Sequence, residues 1–277
     1  MSANKMPFLI RICLCLISFV CLSCDQIEFL NRQSNTSQNN LFALLLLGIS
    51  ANSSDDLARL NDEFNEQTLS NWNIYNNQTT NLSNPTTIAI TNGNLQLTPQ
   101  SQTLWFNAIQ TGAMVSKTIS GNFVASTSVQ VRRRTNANLA PNQTVELAGL
   151  MVRNRDTSLE NYVFIVLGFD ENDLSVEVKT TTNDVSSYVG PSRSSSDGEL
   201  RICRIGDNFY LYLKGTDGTW IAQNHPTTNN PVFVRSDLPN SLEVGLNIYA
   251  NQGTPDVIAR FDYIRFFRPN NQTDCTR

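Results

Sequence analysis

Beyond residue 60 the hydrophobic positions fall into a period of two. In "FVASTSVQV", Phe123, Ala125, Thr127, Val129 and Val131 share one face, and Val124, Ser126, Ser128 and Gln130 the other. "LSVEV" sets Leu174, Val176 and Val178 against Ser175 and Glu177, and "LEVGLNIY" sets Leu242, Val244, Leu246 and Ile248 against Glu243, Gly245, Asn247 and Tyr249. Such alternation predicts half-buried strands, because successive side chains of a strand point to opposite faces. "YVFIVLGF" (Tyr162 to Phe169) is apolar on both faces and predicts a strand covered on both sides. Turn signals separate these runs at Asn92-Gly93, Gly206-Asp207-Asn208 and Asp217-Gly218. With no long helical period after residue 60, the pattern predicts an all-β sandwich or barrel in one domain, residues 60–269, followed by a C-terminal tail, residues 270–277.

The first 60 residues read differently. Lys5 and Arg11 precede "ICLCLISFVCL", a mostly apolar run of eleven residues. That is too short to cross a bilayer of about 30 Å but suits a signal-peptide core. The run leads to "CLSC", where Ser23-Cys24 matches the end of a bacterial lipobox and Cys21 stands in place of the usual Leu. Residues 1–23 are therefore expected to be a lipoprotein signal peptide and Cys24 the lipidated residue; a plain secretory signal is the alternative. A polar, low-complexity tether, residues 24–59, follows, with a second short apolar run at Leu41 to Ile49. The expected address is the bacterial cell envelope, anchored to a membrane (the outer one first), facing periplasm or exterior.

Composition narrows the partners. Loss of the signal would take the formal charge from -4 to -6 by removing Lys5 and Arg11. An acidic chain gives no basic footprint for nucleic acid. Four of the six cysteines lie in residues 1–24, leaving Cys203 and Cys275, which could pair in an oxidising compartment but form neither a disulfide framework nor a zinc site.

"DEFNEQTLSNW", "SKTISGNFVASTSVQV", "AGLMVRNRD", "LRICRIGDNFYLYLKGTDGTW", "LEVGLNIYA" and "RFDYIRFF" occur in that order. Together they resemble the concanavalin A-like lectin/glucanase superfamily, in its laminin-G-like envelope and secreted modules. The resemblance implies a two-sheet antiparallel jelly-roll sandwich whose concave sheet often binds carbohydrate. It does not by itself imply an activity.

Catalytic chemistry finds little support. Enzymes of that superfamily often carry E-x-D-x-E or E-x-D-x-x-E on one strand, whereas "ENDLSVE" spaces Glu171, Asp173 and Glu177 wrongly and places the first two in an expected turn. The single histidine, His225, precedes a proline without a nucleophile motif. No catalytic residue, metal ligand or cofactor is expected, although dispersed Asp and Asn would suffice for a structural calcium. Binding remains. Sugars present flat apolar faces edged by hydroxyls, which favours aromatic platforms beside amides. The candidates are Tyr210, Tyr212, Trp105, Asn247 and Tyr249, while Trp72 and Trp220 read as core framework. The expected function is a lipid-anchored, lectin-like protein that binds a glycan or a host or other surface protein. A divergent glycoside hydrolase or lyase, and a structural or adhesive lipoprotein without small ligand, are the alternatives.

Overall fold

The computed structural model describes residues 56–76 and 86–277. Cys24, the signal peptide, and the run Leu41 to Ile49 lie outside the described residues. The chain forms β1 (Asn73–Asn76), β2 (Thr86–Thr91), β3 (Asn94–Pro99), β4 (Trp105–Phe106), β5 (Ile109–Gln110), β6 (Ala113–Ser120), β7 (Phe123–Arg132), β8 (Glu146–Asn154) and β9 (Asn161–Phe169). It continues with β10 (Leu174–Thr182), β11 (Val185–Val189), β12 (Asp197–Ile205), β13 (Asn208–Lys214), β14 (Trp220–Ala222), β15 (Phe233–Val234), β16 (Ser241–Ala250) and β17 (Ile258–Phe267).

Two antiparallel sheets pack face to face. One runs β1-β6-β16-β8-β9-β10-β11; the other runs β14-β13-β12-β7-β17-β3-β2, with β15 beside β13. The alternating faces meet as expected. Leu150, Val152, Ile165, Leu167, Val244 and Leu246 from the first sheet bury against Leu97, Phe123, Val129, Ile202, Leu211 and Phe261 from the second. On β17 both Phe261 and Ile264 reach this core although three residues apart, because the register against β7 shifts between Phe261 and Tyr263. A bulge of this kind adds one residue and re-phases the alternation.

Local chemistry closes the hairpins. Asn92 and Gly93 both have positive φ (53° and 71°) between β2 and β3, as the two-residue turn that matches strand twist requires. Residues 170–173 form the turn between β9 and β10, so Glu171 and Asp173 sit there and not on a strand.

Two expectations change. The described residues from Asp56 to the C-terminus belong to one compact unit. Residues 270–277, read as a tail, fold back as a 3-10 turn (Gln272–Thr276) whose Cys275 is disulfide-bonded to Cys203 on β12. Trp220 is not core: it lies half-buried on the outer side of the second sheet, 4.0 Å from the guanidinium of Arg201. Arg201 Nη1 in turn donates to the carbonyls of Cys275 and Arg277, at 2.8 and 2.7 Å. Trp72 does join the core.

Candidate ligand site on the outer face of the first sheet

The residues that alternate with the core on β8, β9, β10 and β16 face away from the second sheet, and they are buried as well. Met114, Leu147, Met151, Tyr162, Phe164, Val166 and Tyr249 form a second apolar cluster there, closed by Trp105. The covering element is the segment from Thr103 to Gly112, which folds on itself through the short β4–β5 ladder and a bond from Gly112 N–H to the Leu104 carbonyl. It crosses the sheet as a strap and inserts the Trp105 ring, which is 0% exposed. Trp105 contacts Tyr75 and Tyr162, with ring centroids 5.4 and 6.2 Å away. This explains why β9 is apolar on both faces: one side meets the sandwich core and the other meets the strap.

At one end of this face a cavity of about 190 Å³ opens beside the strap, lined by Leu104, Phe106, Val145, Asp170, Glu171, Glu177, Lys179, Tyr188, Tyr249 and Asn251. Its floor carries a buried polar group. Glu177 and Lys179, two apart on β10 and so on one face, are 2% and 3% exposed and pair at 3.0 Å. The Tyr249 hydroxyl donates to the same Glu177 oxygen at 2.8 Å, and Lys179 Nζ also donates to the carbonyl of Trp105 at 3.1 Å. Burial dominates every titration here. It pushes the Glu177 carboxyl up against the opposing pull of Lys179. It pulls the Lys179 ammonium down against Glu177, and drives the Tyr249 phenol well above its usual range. Asp170 at the rim is raised by burial and by neighbouring Glu171. Four rings surround the Lys179 ammonium, those of Phe106, Phe164, Tyr188 and Tyr249, with centroids 4.8 to 5.3 Å away. Among the described residues no group of three or more His, Cys, Asp or Glu is placed to hold a metal.

Farther along the same face Arg153 is held by Glu160 at 3.0 and 3.1 Å and donates to Gln110 of the strap at 2.7 Å. Beyond it, a polar cavity of about 410 Å³ lies among Thr118, Asn154, Arg155, Asp156, Ser241, Leu242 and Glu243.

The sequence-derived candidates divide between the sheets. Trp105, Asn247 and Tyr249 come together on this outer face. Tyr210 and Tyr212 do not join them: they pack on the outer side of the second sheet with Cys203 and Cys275, buried beneath the C-terminal turn. Asp170, Glu177, Lys179 and Tyr188 were not legible as a group. Lys179 and Tyr188 occupy ordinary strand positions, and only the β10–β11 pairing sets them opposite each other.

No family model and no curated protein sequence matches the chain. Solved structures do. A functionally unknown protein from Saccharomyces cerevisiae superposes with a TM-score of 0.57 at 14% identity, covering 73% of this chain and 99% of the other. The GH43 protein BlXynB from Bacillus licheniformis gives 0.55 at 16% identity, over 76% of this chain. A xylan β-1,4-xylosidase from Bacillus halodurans C-125 gives 0.54 at 16%, over 75%. The likeness is one of fold. This chain spans 39% of the length of each of those two bacillus proteins. The two-sheet antiparallel sandwich implied by the family resemblance is thus a fold shared with parts of these two bacillus proteins.

Proposed function

We propose that this chain is a lipid-anchored envelope protein whose sandwich domain binds carbohydrate without cleaving it. The observation that carries the reading is the cavity beside the strap, where the Phe106, Tyr188 and Tyr249 rings meet Asp170, Glu171 and Lys179. Rings offer a surface for the apolar face of a sugar, and the charged groups offer partners for its hydroxyls. At about 190 Å³ the cavity is smaller than the roughly 300–1,000 Å³ of pockets for drug-sized ligands. It therefore suits one sugar unit at a chain end or branch. Glycoside hydrolysis needs two working carboxyl groups, one of them free to move a proton. On β10 the outer face presents Ser175, Glu177 and Lys179, and the one carboxylate is already engaged by Lys179 and Tyr249.

One observation favours the hydrolase alternative. Asp170 and Glu177 line the same cavity, and burial raises both carboxyls, as an acid catalyst requires. The anchor rests on the residue pattern that ends at Ser23-Cys24. Labelled fatty acid should enter the native chain and not a Cys24→Ala variant; label retained by the variant removes Cys24 as the anchor. For the site, an immobilised panel of plant and bacterial-envelope glycans is probed with the full chain and with Tyr188→Ala. Binding that drops about tenfold or more in the variant is expected. A folded chain that binds nothing on the panel counts against the reading, as does binding indifferent to Tyr188.

A further inference from the structure

The two cavities on the outer face of the first sheet lie at opposite ends of one track. Tyr249 lines one and Glu243 the other, and both stand on β16. They are six steps apart along the strand, roughly 20 Å at ~3.3 Å per residue. Between them the face is roofed over by the strap.

Under that roof lie polar groups that the closed arrangement leaves without use. Asn247 stands between Glu243 and Tyr249 on the same face of β16 and is 0% exposed, yet neither its amide nitrogen nor its amide oxygen has a hydrogen-bond partner among the described residues. The same holds for Arg153 Nη1 and Trp105 Nε1. A buried polar group without a partner is unfavourable and uncommon. Two such amide atoms on one side chain, in line with two open cavities, mark a surface whose proper partner is not the strap. The strap is tied to the sheet at a few points: Thr103 exchanges two backbone bonds with Ala250 of β16, and Lys179 Nζ donates to the Trp105 carbonyl. Asn107 exchanges two bonds with Ser186, through its backbone N–H at 2.8 Å and its side-chain oxygen at 3.0 Å. Gln110 holds the other side through Tyr75 and Arg153. The strap's own pairing is short: the two-residue β4–β5 ladder, one further backbone bond from Gly112 to the Leu104 carbonyl, and the Leu104 N–H on Thr111 Oγ1.

Resting on the carbohydrate reading, we propose that the strap lifts and that the face beneath it is the middle of one continuous groove for an extended oligosaccharide. In the closed state Trp105 fills the place of a sugar ring, a flat ring against Tyr75 and Tyr162 with the Arg153 guanidinium beside it, 5.1 Å from the indole centroid. Lifting exposes the Asn247 amide and Arg153 Nη1 to hydroxyl groups that can satisfy them. Leu104 and Phe106 of the end cavity belong to the strap and move with it, whereas its Glu177, Lys179, Tyr188 and Tyr249 wall stays on the sheet and still takes a single sugar.

Three matched pairs test this by calorimetry: xylose with xylohexaose, glucose with laminarihexaose, and N-acetylglucosamine with its hexamer. The proteins are the full chain, Trp105→Gly, and a variant locked by Asn107→Cys with Ser186→Cys, its new disulfide verified by mass. For one pair, hexasaccharide affinity should rise about tenfold in Trp105→Gly and fall about tenfold in the locked chain, while monosaccharide affinity changes by less than about threefold. Hydrogen exchange of the unaltered chain adds a readout free of substitutions: amides of residues 103–112 should exchange at least tenfold faster than those of β8 and β9. Exchange no faster than in those strands overturns the strap. So does a locked chain that takes the hexasaccharide like its parent. A monosaccharide bound while the hexasaccharide ignores both variants removes the strap and leaves the carbohydrate reading standing. No binding of any sugar by any of the three proteins removes that reading, and this inference with it.

Discussion

Lys179 carries more of the site than its place in the sequence suggests. Its ammonium is buried among four rings and opposes one carboxylate, Glu177, whose other donor is Tyr249. Taking both charges out of water is costly, and removing one partner leaves the other uncompensated, at about 3–5 kcal/mol. Lys179→Met should therefore lower stability by roughly that amount in urea unfolding. Glu177→Gln with Lys179→Met should recover most of the loss, because neither residual group is then an isolated charge. A double variant as unstable as the single would mean that the lysine acts through packing alone. Neither partner was singled out as a pair in the sequence. Glu177 was visible as a carboxylate on an alternating strand, but its partner Lys179 also bonds the carbonyl of Trp105, 74 residues earlier in the chain.

At the scale of elements, the alternation of β7, β10 and β16 was legible because one face of each had to be apolar. The turns were legible because Asn-Gly and Gly-Asp pairs accept positive φ. What covers the second face of β9 was not, since a two-sided apolar strand demands cover without naming it. The alternation of Tyr210 and Tyr212 with apolar neighbours left their sheet face open, and the C-terminal turn that buries them comes from residues 272–276. The start of β8 supplies a test of pH dependence. Glu146 is fully buried and accepts the Asp256 backbone N–H at 2.8 Å. Burial pushes its carboxyl up to about 6 from an ordinary 4.5. The folded chain then holds this proton more tightly than the unfolded chain, so its contribution is greatest below about pH 4.5 and declines as pH rises through 6. At pH 7.5 the ionised group costs about 1–2 kcal/mol. Glu146→Gln should raise the melting temperature at pH 7.5 and change it little at pH 4.5. An equal shift at both pH values would contradict the titration.

For the molecule as a whole, the last residues complete the fold. Cys203 and Cys275 are 72 positions apart, and a cross-link closing a loop of that length stabilises by about 4 kcal/mol through the unfolded chain. Cys203→Ala with Cys275→Ala should lower unfolding free energy by about 2–4 kcal/mol in chemical denaturation. No loss would show that Arg201 and its two carbonyl partners hold the terminus unaided. The sandwich joins these parts into one arrangement: a core between two sheets, and on the outer face of one sheet an aromatic and charged cavity beside a strap.

The central claim is binding without cleavage, and one proton NMR time course addresses it. The full chain is mixed with the oligosaccharide it binds best, and the anomeric signals of ligand and products are followed over a day beside a Glu177→Gln sample. The account predicts ligand broadening that reports binding, with no new reducing-end signal in either sample. Reducing ends that accumulate with the native chain and not with Glu177→Gln would contradict it, and make Glu177 a working carboxyl of a hydrolase.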